Sequence, residues 1–216
     1  MLCYNLRKYE RELTEMLKRF MILLTALLLC CGAAAAEGRV APADLNRDEE
    51  NMLALMSLEY GTSILDFTMP DGAKTVILTL WALDDGAWEE RSVTTLTLED
   101  NASGRIALRS EDCLGADLYQ SIWTEDGYVS GADDNEPEFD LWSMNGGTDW
   151  LYEEVPLTLD SVQPLALQAF TAAPDVPDFD LSGFESPEKL SAFDHVYVVT
   201  LSFSELTEEQ LYGWEE

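Results

Sequence analysis

Alternating apolar and polar residues dominate the chain after residue 62, and this pattern predicts β-strands separated by short turns. The longest alternation places one set of residues on one face and the intervening residues on the other. The two sets are Phe193, His195, Tyr197, Val199, Leu201 and Phe203 against Asp194, Val196, Val198, Thr200 and Ser202. Residues 74–83 are almost continuously apolar, which is typical of a central strand covered on both faces.

Turn signals separate the predicted strands. Asp85-Gly86 follows the apolar run and predicts a tight hairpin, because these residues tolerate positive φ at low cost. A second hairpin is predicted across residues 125–127, and Asn145-Gly146-Gly147 is interpreted as another turn. Further strands are expected at 105–109, 139–142, 150–159 and 165–171, with Pro156 marking an edge or a break.

Two helices are expected at the ends of this strand-rich region. Asp44 or Asn46 can cap a helix to about Glu59, where Met52, Leu55 and Met56 recur at helical spacing. Thr207 and Gln210 have the spacing of a capping box and predict a short C-terminal helix. A third, two-turn helix is expected after Ser186-Pro187.

Eight to ten short strands with few helices predict an antiparallel β-sandwich, of jelly-roll or immunoglobulin-like type, with short peripheral helices. The expected organisation is a linker and short helix over 37–61, the sandwich over 62–206 and a helix over 207–216. Two tandem sandwiches joined near Gly146-Gly147 are the alternative.

The first 36 residues predict an export signal. Lys18-Arg19 precedes an uncharged apolar run from Met21 to Leu29, which has the length of a signal-peptide core. Small residues before Glu37 suit cleavage after Ala36. We expect the true start to be Met16, with residues 1–15 an N-terminal extension and 16–36 the signal peptide.

Two other fates of this segment stay open. Lipidation at Cys30 or Cys31 would make the protein a lipoprotein, although neither cysteine follows a small residue. An uncleaved segment would act as a membrane anchor. We therefore expect contact with a membrane only through the signal peptide or a lipid anchor, and an extracytoplasmic location that is secreted or attached to the cell envelope.

Composition narrows the function classes. The chain has 216 residues, with 12 Lys and Arg against 42 Asp and Glu, and a net charge of −30. Residues 1–36 contain 5 of the basic and 3 of the acidic residues, which leaves 7 basic and 39 acidic residues in the predicted mature chain. Nucleic acid is an unsuitable partner because phosphate binding needs clustered cations.

Catalytic motifs are missing from the sequence. It has no Gly-x-Ser-x-Gly elbow, no phosphate-binding glycine loop and no Cys-x-x-Cys pair. His195, the only histidine, lies on an apolar strand face, and Cys113 is expected to be a small buried residue. We therefore predict no catalytic residues and no enzymatic activity, and we expect no resident cofactor.

Calcium is the one ion that the sequence suggests. Asp178, Asp180 and Ser182 occupy positions 1, 3 and 5 of an EF-hand-like pattern, with Gly183 at position 6. Position 12 is Lys189 instead of the usual bidentate Glu. The pattern is thus no true EF-hand, and a looser oxygen cage for Ca²⁺ is the hypothesis.

Aromatic residues near turns suggest a ligand platform. Trp88, Trp142 and Trp150 lie beside predicted turns, where exposed rings could stack on sugars. Trp81 lies inside the apolar run and is expected in the core. Paired carboxylates could also act on glycosides, but 39 acidic residues single out no pair.

The segment from Glu59 to Leu108, which includes Leu83-Asp84-Asp85-Gly86-Ala87-Trp88, resembles small secreted or lipoprotein-type β-domains of Gram-positive gut bacteria. The resemblance implies an envelope location and no particular activity. The leading hypothesis is a non-enzymatic binding module with an unknown cell-surface or glycan partner. The alternatives are a carbohydrate-binding or glycan-processing protein and a calcium-stabilised structural domain.

Overall fold

Two antiparallel sheets form the body of the protein in a computed structural model, which describes residues 37–58, 61–99, 102–125, 127–133 and 139–213. Sheet A has six strands in the order β7-β6-β5-β2-β1-β9, and sheet B has five in the order β4-β3-β11-β10-β8. The predicted antiparallel β-sandwich is confirmed.

The strands of sheet A are β1 (Gly38–Pro42), β2 (Thr62–Thr68), β5 (Ser103–Arg109), β6 (Leu118–Thr124), β7 (Tyr128–Asp133) and β9 (Val155–Leu157). The strands of sheet B are β3 (Thr75–Asp84), β4 (Ala87–Thr97), β8 (Asn145–Trp150), β10 (Gln163–Thr171) and β11 (His195–Ser204). The described residues form the helices α1 (Arg47–Leu55), α2 (Leu114–Asp117) and α3 (Glu208–Tyr212), and 3₁₀ turns at Leu141–Ser143, Leu181–Phe184 and Pro187–Leu190.

The main core fills the space between the two sheets. Alternate residues of β2 and β5 from sheet A meet alternate residues of β3 and β11 from sheet B. Phe67 and Phe203 approach across this space with ring centroids 6.4 Å apart. Burial of such apolar surface is the main stabilising contribution to the sandwich.

A second apolar cluster covers the outer face of sheet B. Val196 and Val198 of β11 pack there against Leu190 and Phe193, which follow β10 in the chain. The long connection between β10 and β11 therefore acts as a lid over the sheet. Both faces of β3 and β11 are covered as a result, which explains the continuous apolar run of residues 74–83.

Several strand predictions are confirmed. The β3–β4 hairpin turns at Asp85 and Gly86, whose φ angles are +46° and +79°. Asp84 pairs with Ala87 across this two-residue turn. The faces of β11 separate as expected, since alternate residues enter the main core and the second cluster. Phe193 is the exception, because it precedes the strand and packs in the second cluster.

Two strand predictions and one turn prediction are wrong. The predicted strand at 139–142 contains a 3₁₀ turn, because the Asp140 carboxylate accepts a hydrogen bond from the Trp142 amide at 3.2 Å. Asn145-Gly146-Gly147 begins β8 and is not a turn. The strand expected over 150–159 is two elements, since Trp150 ends β8 and β9 covers only Val155–Leu157.

The predicted linker at 37–61 contains a strand of the sandwich. Gly38–Pro42 forms β1, whose Val40 is fully buried between the sheets. Pro156 lies on β9, an edge strand of sheet A, as expected. All described residues belong to one structural unit, and Gly146 and Gly147 lie within sheet B, so the tandem alternative is wrong.

The two terminal helices are found, with corrected bounds. Asn46 caps α1 and forms a capping box with Glu49, but α1 ends at Leu55, before the predicted Glu59. Ser57, at a φ of +57°, has already left the helical conformation. Helix α3 starts after Thr207, whose amide donates to the Gln210 side chain at 3.0 Å.

The predicted leader, including the proposed start, the cleavage site and the lipidation cysteines, lies outside the described residues. No helix in the described part of the chain has the length and apolar character that crossing a bilayer requires.

Candidate functional site

The outer face of sheet A carries a row of side chains that directly face each other across four strands. Asp66 of β2 pairs with Arg105 of β5, Arg105 pairs with Trp123 of β6, and Trp123 pairs with Tyr128 of β7. Tyr119, also on β6, lies on the same face beside Arg109. We call the surface formed by Arg105, Arg109, Tyr119, Trp123 and Tyr128 the aromatic face.

The rings of the aromatic face are solvent-exposed. Trp123 is 67% exposed, and Tyr128 is 74% exposed. Their strand neighbours Ile122 and Val129 point the opposite way, into or against the main core. The period-two geometry of the strands therefore forces the aromatic side chains outward once the core side is fixed.

Arg105 organises the polar part of this face. Its Nε donates to Oδ1 of Asp66 at 2.8 Å, and its Nη1 donates to Oε1 of Glu49 at 2.6 Å. Glu49 belongs to α1, and its other oxygen accepts the Asn46 amide at 2.8 Å. One arginine thus connects sheet A to the capping box of α1.

These contacts shift the ionisation of both partners. The pKa of Glu49 is lowered by the Asn46 amide and by the Arg105 guanidinium. The pKa of Arg105 is raised by its hydrogen bonds to Asp66 and Glu49. Each shift favours the charged form, so the Glu49–Arg105 pair is ionised at neutral pH.

A cleft of about 490 Å³ lies between α1 and sheet A. Met52 and Leu53 line it on the helix side, while Ile64 and Ala107 line the sheet side. No residue of α1 is buried, and Met52 is 58% exposed. The helix therefore forms a wall of an open, mostly apolar groove instead of packing onto the sheet.

A second cleft, of about 610 Å³, lies on the other side of Arg105 and Trp123. Its lining is more polar and includes Arg39, Thr68 and Glu125. Arg105 and Trp123 line both clefts, so they form a ridge between an apolar groove and a polar one.

The other two arginines of this surface also have partners. The guanidinium of Arg109 lies 5.4 Å from the centre of the Tyr119 ring and forms an ion pair with Glu111. Arg39 pairs with Glu154 at 3.2 Å. Both pairs are accessible to solvent, so their net contribution to stability is small.

The three tryptophans singled out in the sequence lie in three different parts of the fold. Trp88 is half-buried, packs on Phe184 and donates its indole N–H to the Phe184 carbonyl at 3.0 Å. Trp150 packs against the main core at the opposite edge of sheet B. Trp142 is 94% exposed on a 3₁₀ turn. Trp81 is in the apolar packing, as expected.

The proposed calcium ligands lie in the connection between β10 and β11 that covers sheet B. The Asp180 carboxylate caps the 3₁₀ turn that starts at Leu181, because its Oδ1 accepts from the amide and the hydroxyl of Ser182. These hydrogen bonds lower the pKa of Asp180. Asp178 is exposed, and the described residues contain no group of three His, Cys, Asp or Glu side chains arranged for a metal.

His195 and Cys113, the residues best suited to acid–base or nucleophilic chemistry, are used in packing. The His195 ring stacks on Phe139 with centroids 3.8 Å apart and an interplanar angle of 6°. Cys113 is fully buried beside Phe170, as expected from the sequence. Neither residue lies on the aromatic face.

Sequence reasoning missed the aromatic face, although a signal for it was present. In β6, Leu118 and Ile122 alternate with Tyr119 and Trp123, and the two aliphatic residues are buried in the main core. The aromatic set must then face outward. The alternation along a strand predicts which aromatic residues are exposed better than their nearness to a turn does.

Comparison with known proteins adds no family to this picture. No protein-family model, curated protein or solved structure matches the chain.

Proposed function

We propose that this chain is an extracytoplasmic, non-enzymatic binding protein of a bacterial cell envelope, and that the aromatic face is its ligand-binding surface. The observation that carries the proposal is the alignment of exposed Trp123 and Tyr128 on neighbouring strands, beside two clefts that meet at Arg105.

Exposed rings of this size favour a binding role. A soluble protein usually buries a tryptophan, because the ring carries a large apolar surface. Clustered exposed aromatic residues with polar groups around them mark interaction surfaces. Trp123 and Tyr128 lie on the outer face of sheet A, so their rings do not contribute to the core between the two sheets in the described structure.

The chemistry of the site supports binding more than turnover. The polar groups around Trp123 include Arg105, which is held in ion pairs with the carboxylates of Asp66 and Glu49. An acid–base pair for catalysis needs groups whose protonation states differ. The Glu49 and Arg105 shifts instead hold both groups in their charged forms.

The extracytoplasmic location rests on the sequence. The apolar run 21–29, with Lys18-Arg19 before it and small residues after it, has the organisation of an export signal. The full chain, expressed with its leader in a Gram-positive host, should be recovered outside the cytoplasm with a shortened intact mass or an attached lipid. Full-length protein that stays in the cytoplasm would overturn the location.

Binding can be tested by co-sedimentation of the exported protein with purified Gram-positive sacculi. We expect Trp123→Ala to lose most of the sedimenting fraction, while Trp142→Ala, the matched change at another exposed tryptophan, keeps it. Circular dichroism checks that both variants are folded. Equal sedimentation of the two variants, or none by the parent protein, would contradict the proposed function.

A further inference from the structure

The row from Asp66 to Tyr128 has the form of an extended, shallow recognition track. Its four residues lie on four neighbouring strands, so the row covers three strand spacings, or roughly 14 Å. Asp66 and Arg105 provide hydrogen-bonding groups, and Trp123 and Tyr128 provide aromatic rings. A ligand that fills it must present polar groups and a flat apolar surface along its length.

Positive charge is concentrated on this surface, where carboxylates compensate for it. Three of the seven basic residues after residue 36, namely Arg39, Arg105 and Arg109, lie here. Each is paired with a carboxylate, and Arg105 is paired with two. A polyanion would meet four carboxylates here on a strongly acidic protein, while a cation would find these carboxylates already paired with arginines.

The remaining polar capacity suits hydroxyl groups. Asp66 and Arg105 are partly exposed, with 47% and 34% of their side-chain surfaces accessible. A carboxylate only accepts hydrogen bonds and a guanidinium only donates them, whereas a hydroxyl does both. Neighbouring hydroxyls on one ligand can therefore donate to Asp66 and accept from Arg105 without adding charge.

The geometry also argues against a peptide strand as the ligand. Peptides that extend a sheet need the unpaired backbone groups of an edge strand. Trp123 and Arg105 lie on β6 and β5, which are paired on both sides within sheet A. Only β7, which carries Tyr128, is an edge strand of sheet A. Around Arg105 and Trp123 the surface offers side chains only, so recognition there depends on stacking and side-chain hydrogen bonds.

We infer that the ligand of the aromatic face is an uncharged oligosaccharide. The apolar C–H face of one pyranose ring stacks on Trp123, and the hydroxyls of the neighbouring sugar bind the Asp66–Arg105 pair. The clefts on either side of the ridge allow the glycan to continue beyond these two sugars. This assignment rests on the proposed function, because it names the ligand of the same surface.

The first test is an array of oligosaccharides presented to the exported protein, with neutral hexose and N-acetylhexosamine chains beside chains that contain uronic or sialic acid. We expect binding to neutral chains.

The affinity of the neutral chain that binds most strongly is then measured by calorimetry for four variants. Trp123→Ala should weaken it by about tenfold or more, Asp66→Asn should weaken it less, and Trp123→Phe should retain more affinity than the alanine variant. Trp142→Ala should leave it unchanged.

A second measurement separates the ligand class from the proposed function. Sacculi treated with a broad protease should retain the protein if a glycan is bound. Loss of binding after protease, with Trp123→Ala still defective on untreated sacculi, would overturn the glycan and keep the aromatic face as a protein-binding surface. Binding to acidic chains alone would overturn the neutral assignment. Equal affinities of Trp123→Ala and Trp142→Ala would overturn both proposals.

Discussion

Glu49 and Arg105 join α1 to sheet A through a 2.6 Å hydrogen-bonded ion pair. The same carboxylate closes the capping box of α1 through the Asn46 amide. No residue of α1 is buried. The ion pair is therefore an important contact between the helix and the outer face of sheet A in the described structure. Both residues line the apolar cleft, so a charged contact bridges its helix side and its sheet side.

This contact predicts that α1 loosens in acid. The folded-state pKa of Glu49 lies below its ordinary value of 4.5, so the ion pair stabilises the docked helix above that pH and is lost as the pH falls below it. Hydrogen exchange of the α1 amides should accelerate in this range before the sandwich unfolds. Glu49→Gln should exchange fast at neutral pH, while the exposed neighbour Glu50→Gln should behave like the parent protein. Identical α1 exchange in Glu49→Gln and the parent would contradict this role.

Core and surface leucines should differ sharply in their effect on stability. Leu78 of β3 is fully buried in the main core, whereas Leu55 of α1 is 84% exposed. Leu78→Ala should lower the free energy of unfolding by about 2–5 kcal/mol. Leu55→Ala should change it by less than about 0.5 kcal/mol. Urea denaturation measures both, and a similar loss in the two variants would show that the Leu55 face of α1 is covered in solution.

Gly115 is predicted to be essential for the packing of α2 on β11. A Cβ atom at this position would lie 2.2 Å from the Tyr197 ring, while one at Gly127 would meet nothing within 4 Å. Gly115→Ala should cost roughly 1–3 kcal/mol through overpacking, despite the better helix propensity of alanine. Gly127→Ala should be nearly neutral. Equal melting temperatures would place Tyr197 elsewhere in solution.

Much of the fold can be predicted from the sequence because local and tertiary requirements agree there. Asp85-Gly86 needs positive φ, and the turn provides it. The alternation in β11 matches the two apolar layers that cover the strand. Prediction fails where a residue type has two physical explanations. Glycine at position 146 predicts a turn, yet Gly146 lies in a strand, where a Cβ atom would be only 2.2 Å from the Ala169 carbonyl oxygen of the paired strand.

The candidate site was harder to predict for a similar reason. Met52 and Leu55 have helical spacing, which normally indicates a buried face, but α1 stands at the edge of a cleft. The pairing of Arg105 with Asp66 and Trp123 depends on the register of separate strands, and Arg105 and Asp66 are 39 residues apart in the chain. That register follows from tertiary pairing and cannot be derived from local periodicity.

Calcium removal should not alter the stability of the protein. The Asp180 carboxylate is already satisfied as the cap of a 3₁₀ turn, and Asp178 is exposed. We expect the melting temperature to be the same with EDTA and with millimolar Ca²⁺. A melting temperature that rises with Ca²⁺ in the parent protein but not in Asp180→Ala would contradict this expectation and support a calcium-stabilised domain.

Hydroxyl-radical footprinting of the exported protein on Gram-positive sacculi tests the central claim most directly. Mass spectrometry compares oxidation of Trp123 and Tyr128 with that of Trp142, which is exposed on a separate turn. The aromatic face predicts that bound sacculi protect Trp123 and Tyr128 while oxidation of Trp142 is unchanged. Protection of Trp142 alone, or unchanged oxidation of Trp123 in the bound protein, would contradict it.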